Sequence, residues 1–80
     1  MKEQLIFYTT LGCHLCEDAK AIYTSVLSPE YFSVEEVDIA DSPALVDQYG
    51  TRIPVLKRCK DNTELNWPFT PQQLMDFLPE

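Results

Sequence analysis

The stretch YTTLGCHLCEDAK, residues 8–20, sets Cys13 and Cys16 on either side of His14 and Leu15, just after an apolar run and just before a helical pattern. Upstream, Gln4 to Thr9 is a continuous apolar run with β-branched and aromatic residues, as expected of a central strand covered on both faces. Downstream, Leu15, Ala19, Ile22 and Val26 recur with helical spacing, while Glu17, Lys20 and Thr24 take the other side. This predicts an amphipathic helix ending near Ser28 and Pro29. The two cysteines therefore sit at a strand-to-helix junction.

That position has chemical consequences. The first backbone N–H groups of a helix lack intrahelical partners and carry a partial positive charge, which stabilises a thiolate placed there. An ordinary thiol, with a pKa of about 8.5, is only a few per cent ionised at neutral pH, and helix N-termini and Cys-x-x-Cys motifs lower that value. Cys13 is the candidate nucleophile. Cys16 lies about one turn along the same face, within reach of a mixed disulfide at Cys13, and is the candidate resolving thiol. Glu17 and Asp18 suit the helix N-terminus but oppose the thiolate. His14 is read as a solvent-facing side chain, and Leu15 as core packing or an apolar contact for a partner.

A metal site is not expected, because a closed zinc site needs four ligands and the second cysteine pair is missing. Only Cys59 and His14 remain as further ligands, and Glu17 stands where haem attachment would need a histidine. Cys59 is read as a small packing residue on a hairpin.

The rest of the chain completes an α/β pattern. YFSVEEVDI, Tyr31 to Ile39, reads as a second strand whose adjacent Glu35 and Glu36 suit an edge position. Strand, helix and strand make a βαβ unit with parallel strands. Ser42 and Pro43 open a short helix, and Gly50 is expected as the left-handed residue after its end. IPVLK and DNTEL form a hairpin with Asp61 and Asn62 in the turn, and Pro54 belongs at a strand's start. Thr70 and Gln73 make a capping box with Pro71 at the first helical position, Phe69 and Leu74 form a hydrophobic staple, and Pro79 stops the helix.

Composition narrows the function classes. The chain has 80 residues, 45% hydrophobic and 24% charged, which suits one globular domain spanning residues 1–80. Thirteen acidic against six basic residues give a net charge of -7, which repels nucleic acids and anionic membranes. The apolar stretch Leu5 to Tyr8 is too short for a signal peptide core or a membrane span, so a cytoplasmic protein is expected. In a reducing cytosol a Cys-x-x-Cys pair points to redox or metal chemistry rather than to a structural disulfide.

The order β-α-β-α-β-β-α, with Cys-x-x-Cys opening the first helix and a proline opening the third strand, resembles the thioredoxin superfold. FYTTLGCHLCEDAK is similar to the small bacterial glutaredoxin-like family. The resemblance implies a four-stranded mixed sheet flanked by three helices, over nearly the whole chain. It implies a cis bond before Pro54, with Ile53 offering its backbone N–H and C=O to a peptide or glutathione. Arg52 is then placed to meet a substrate carboxylate and Trp67 to form an apolar wall for a partner. The expected activity is thiol–disulfide oxidoreduction, an electron-transport role: a monomer acting on protein or low-molecular-weight disulfides. No cofactor is built in, and glutathione or a reductase supplies the electrons.

Typical glutaredoxins read Cys-Pro-Tyr-Cys where this chain has CHLC and Thr-Val-Pro where it has RIP. Their glycine pair and aspartate, which hold the γ-glutamyl end of glutathione, give way here to NWPFTP. Two other readings stay open: a redox-inactive module that docks a protein through the same surface, and a metal or cluster carrier using Cys13 and Cys16.

Overall fold

The computed structural model describes residues 2–78. The elements follow in the order β1 (Glu3–Thr9), α1 (His14–Val26), β2 (Phe32–Asp38), a single 3₁₀ turn (Ile39–Asp41), α2 (Pro43–Tyr49), β3 (Val55–Arg58), β4 (Glu64–Asn66) and α3 (Pro71–Phe77). The four strands form one mixed sheet in the order β2-β1-β3-β4. β1 runs parallel to β2 and antiparallel to β3, and β4 pairs antiparallel with β3. The expected α/β arrangement is present, with β1 inside and the acidic β2 at an edge.

Alternation along β1 divides the core in two. Leu5 and Phe7 join Cys16, Ala19 and Tyr23 of α1, Leu56 of β3 and Leu74 of α3 in one buried cluster. The intervening Ile6 and Tyr8 turn to the opposite face, where Tyr8, Ile39, Tyr49 and Val55 form a second. Phe7 packs edge-on against Tyr23 with ring centroids 4.9 Å apart, and Tyr8 stacks on Tyr49 at 4.1 Å. A strand with both faces covered must be apolar throughout, and the Leu5–Tyr8 run satisfies that requirement.

Several local expectations meet particular atoms. Ser42 caps α2 through the Leu45 N–H. Thr70 accepts from the Gln73 N–H at 3.1 Å while the Gln73 side chain accepts from the Thr70 N–H at 2.8 Å, closing the capping box. Phe69 and Leu74 are both buried in the first cluster. Asn62 takes φ +60° in the hairpin turn, a conformation its short polar side chain tolerates. Helix α3 ends at Phe77, and Pro79 lies outside the described residues.

Other expectations need correction. The buried stripe of α1 is Cys16, Ala19 and Tyr23, with Ile22 and Val26 at its margin, whereas Leu15 is 51% exposed. The stripe is rotated because Cys16 acts as a small apolar residue and Tyr23 buries its ring, so neither needs an aliphatic side chain. Gly50 is right-handed, with φ -53° and ψ -32°. A Cβ there would stand 2.5 Å from the Val46 carbonyl oxygen, so close approach rather than a left-handed turn explains the glycine. Cys59 is exposed in the hairpin turn and does not pack in the core.

Candidate redox site

The site is built where β1 hands the chain to α1. After Thr9 the backbone turns through Thr10, Leu11 and Gly12, and Gly12 adopts φ +77°, which a Cβ would strain. That turn delivers Cys13 as the N-cap of a helix 13 residues long. Its Sγ accepts a hydrogen bond from the Cys16 N–H at 3.1 Å, and its carbonyl accepts from the Glu17 N–H at 3.2 Å. Serine, threonine, aspartate or asparagine normally does this work; here a sulfur receives the helix's unpaired amide.

Cys13 and Cys16 are joined by a disulfide, with Cα atoms 5.2 Å apart. Their exposures differ: Cys13 is partly accessible, while Cys16 is 3% exposed within the first core cluster. Cys13 is thus the more open of the two to an incoming molecule. His14 points to solvent, with a side chain 95% exposed and its Nδ1 3.7 Å from a Glu17 carboxylate oxygen.

On one side the disulfide borders a cleft of about 330 Å³, whose lining includes Thr10, Cys13, Cys16, Glu17, Lys20 and Glu36. Lys20 Nζ lies 2.9 Å from Glu36 Oε1, and the Tyr23 hydroxyl donates to the same oxygen at 3.3 Å. Burial, with Glu36 adding to it, raises the Tyr23 phenol well above its usual range, so that hydroxyl stays a donor.

A second groove, of about 440 Å³, is lined by Leu15, Thr51, Arg52, Ile53, Asn66 and Trp67. The Ile53–Pro54 and Trp67–Pro68 peptide bonds are both cis, and Pro54 is fully buried. Trp67 packs edge-on against Phe69, ring centroids 5.1 Å apart, so one face of the groove is aromatic. The groove thus gathers Arg52, Ile53 and Trp67 beside Leu15, the residue between the cysteine pair.

Two of these residues are less free than expected. The Ile53 N–H donates to the Tyr49 carbonyl at 3.0 Å, which leaves its C=O as the backbone group for a ligand. Arg52 is held by its own chain: Nη2 lies 2.7 Å from Glu64 Oε1 and 3.1 Å from Asn66 Oδ1, with the guanidinium 5.1 Å from the Tyr49 ring centre. The Tyr49 hydroxyl donates to the other Glu64 oxygen. Burial raises the Glu64 carboxyl, but the hydrogen bonds from Tyr49 and Arg52 outweigh it and hold the group below its ordinary value. The Tyr49 phenol is pushed up, by burial first and then by its bond to Glu64.

Sequence reasoning missed Lys20, Glu36, Tyr49 and Glu64. Lys20 had a signal, since it stands four residues after Cys16 and shares its side of the helix. Glu36 and Glu64 had none, because their partners come from other elements. Cys59 lies elsewhere: its N–H reaches the Gln4 carbonyl at 3.1 Å, at the far end of β1. Among the described residues no three His, Cys, Asp or Glu side chains gather as metal ligands, and no helix is long and apolar enough to cross a membrane.

Comparison with known proteins places this geometry. The crystal structure of the structural-genomics target XcR50 from X. campestris matches at 33% identity over 94% of this chain and 99% of that one, with a TM-score of 0.79. Its solution structure gives a TM-score of 0.77 at the same 33% identity, covering 95% and 96% of the two chains. The solution structure of Ne2328 from Nitrosomonas europaea matches at 26% identity and a TM-score of 0.80, over 99% of this chain and 94% of that one. A search of curated proteins returned no match. The fold is thioredoxin-like, and a family model described as Glutaredoxin-like domain (DUF836) matches residues 4–79. The chain belongs to this glutaredoxin-like family.

Proposed function

We propose that the protein is a thiol–disulfide oxidoreductase in which Cys13 attacks and Cys16 resolves. The observation that carries this reading is the unequal pair at the helix start: a partly accessible Cys13 whose sulfur receives the Cys16 amide at 3.1 Å, joined to a Cys16 that is 3% exposed. In the reduced state that amide and the helix N-terminus favour a Cys13 thiolate. The thiolate attacks one sulfur of a substrate disulfide, forms a mixed disulfide and expels the other sulfur as a thiolate, which takes up a proton. Cys16, deprotonated, then attacks the Cys13 sulfur, releases the second substrate thiol and closes the intramolecular disulfide. Two electrons pass from the protein to the substrate.

In this reading the Ile53 carbonyl and the Trp67 face border the bound substrate, and Pro54 fixes the backbone between them. Arg52 acts through Glu64, by fixing the groove's wall, rather than as a free carboxylate receptor. The protein works in a reducing compartment, and glutathione or a reductase returns it to the dithiol form. The test is trapping. Cys16→Ser, mixed with a disulfide, accumulates a mixed disulfide on Cys13 that mass spectrometry detects, and Cys13→Ser reduces no substrate. Equal activity of wild type and Cys13→Ser would refute the assignment.

A further inference from the structure

Resting on the oxidoreductase reading, we propose that the substrate is a disulfide carried on a basic protein segment rather than an anionic disulfide such as oxidised glutathione. The first ground is where the cations are. The six basic residues are Lys2, Lys20, Arg52, Lys57, Arg58 and Lys60. Arg58 pairs with Leu5 in the sheet, and the Cys59 N–H reaches Gln4, so Arg58 and Lys60 belong to the end of β1 remote from Cys13. Four residues of strand, about 13 Å, separate Leu5 from Thr9. Only Lys20 and Arg52 border the two grooves beside the disulfide.

Both of those cations are spent internally. Lys20 is 2.9 Å from Glu36 and Arg52 is 2.7 Å from Glu64. A ligand with carboxylates to place would have to displace a carboxylate already seated. The acids around the disulfide are not balanced in this way. Glu17, 79% exposed, and Asp38, opposite Thr9 on the neighbouring strand, line the same cleft as Lys20 and Glu36. The rim therefore sets one cation against three carboxylates, on a chain whose net charge is -7.

The second ground is apolar surface. Leu11 is 91% exposed just before the cysteine pair, and Leu15, between the cysteines, is 51% exposed beside Trp67. Exposed leucines on both sides of a reactive disulfide fit side chains flanking a cysteine in a longer chain, while the acidic rim attracts basic residues and speeds their encounter. The same bias makes glutathione, an anion at neutral pH, the slower reductant.

The experiment mixes the reduced full chain with symmetric disulfides of three peptides that differ only in Lys, Ser or Glu beside the cysteine. Oxidised glutathione and uncharged hydroxyethyl disulfide are run alongside. Oxidation of Cys13 is followed by acid quench and mass spectrometry, and each rate is divided by that of dithiothreitol with the same disulfide to remove intrinsic reactivity. The expected order is Lys, Ser, Glu, spanning at least about tenfold near 20 mM salt and collapsing near 0.5 M. Glu36→Gln, which frees Lys20, should raise the ratio of glutathione disulfide to hydroxyethyl disulfide rates several-fold. Reaction with hydroxyethyl disulfide but equal rates for the three peptides, or a preference for Glu, overturns the substrate proposal alone. No reaction of Cys13 with any disulfide overturns the oxidoreductase reading and this proposal with it.

Discussion

The two ends of β1 each present a cysteine to solvent, and they differ in everything around it. At the C-terminal end Cys13 caps a helix, receives an amide at 3.1 Å and has a buried partner sulfur one turn away. At the other end Cys59 sits exposed in a turn beside Arg58 and Lys60, with no second thiol among its neighbours in the sheet. Cys59 has basic neighbours along the chain, with Arg58 itself paired to Asp61, whereas acids line the cleft at Cys13. What Cys59 lacks is the helix terminus and the resolving sulfur. The contrast between the two ends is thus one of hydrogen-bond geometry and an intramolecular partner sulfur.

Substitution of the cysteines themselves should change activity most. Cys13→Ser should reduce turnover with hydroxyethyl disulfide to the rate of uncatalysed exchange, while Cys59→Ser should leave it unchanged. Loss of activity in Cys59→Ser would mean that the two ends are not chemically distinct. Next in size is the shared scaffold. Leu5→Ala, at a fully buried position on β1, should cost about 2–5 kcal/mol in urea unfolding. A cost below about 1 kcal/mol would show that the first cluster is loosely packed.

Glu64→Gln acts on the groove wall that holds Arg52. The change leaves Arg52 without its charged partner and should cost about 1–2 kcal/mol at neutral pH. The folded carboxyl titrates below its ordinary value of 4.5, so the unfolded chain binds more protons just under that pH. The stability that Glu64 contributes is complete above about pH 4.5 and is lost as pH falls through the folded value. Wild type should therefore lose its advantage over Glu64→Gln as the solution is acidified below pH 4.5, followed by thermal unfolding. An advantage that grew on acidification would contradict the assignment. The smallest effect is at the helix that closes the sheet: Thr70→Ala, which removes one half of the capping box, should cost about 1 kcal/mol.

Features governed by neighbours along the chain are legible in the amino-acid sequence alone. The run from Leu5 to Tyr8, the Ser42 and Thr70 caps, the prolines opening α2 and α3, and Asn62 in its turn all depend on contacts within a few residues. The position of Cys13 at a helix start, with Cys16 three residues on, is legible for the same reason. The α1 stripe is misread where a cysteine and a tyrosine replace aliphatic residues at the buried positions. The engagement of Arg52 by Glu64 has no local signal, since strand register decides it, while that of the Ile53 N–H by the Tyr49 carbonyl spans only four residues but follows the loop path after α2. The exposure of Cys59 likewise follows from where the hairpin turns.

The oxidoreductase proposal requires that Cys13 and Cys16 form a reversible two-electron couple. The most direct measurement equilibrates the full chain in thiol–disulfide buffers of graded potential, quenches with acid and maps every cysteine by mass spectrometry. The two thiols should close onto each other in one transition between about -270 and -200 mV, the range of thioredoxin and glutaredoxin, while Cys59 stays outside that transition. A pair that stays reduced across the whole range, with only Cys59 modified, would contradict the proposal.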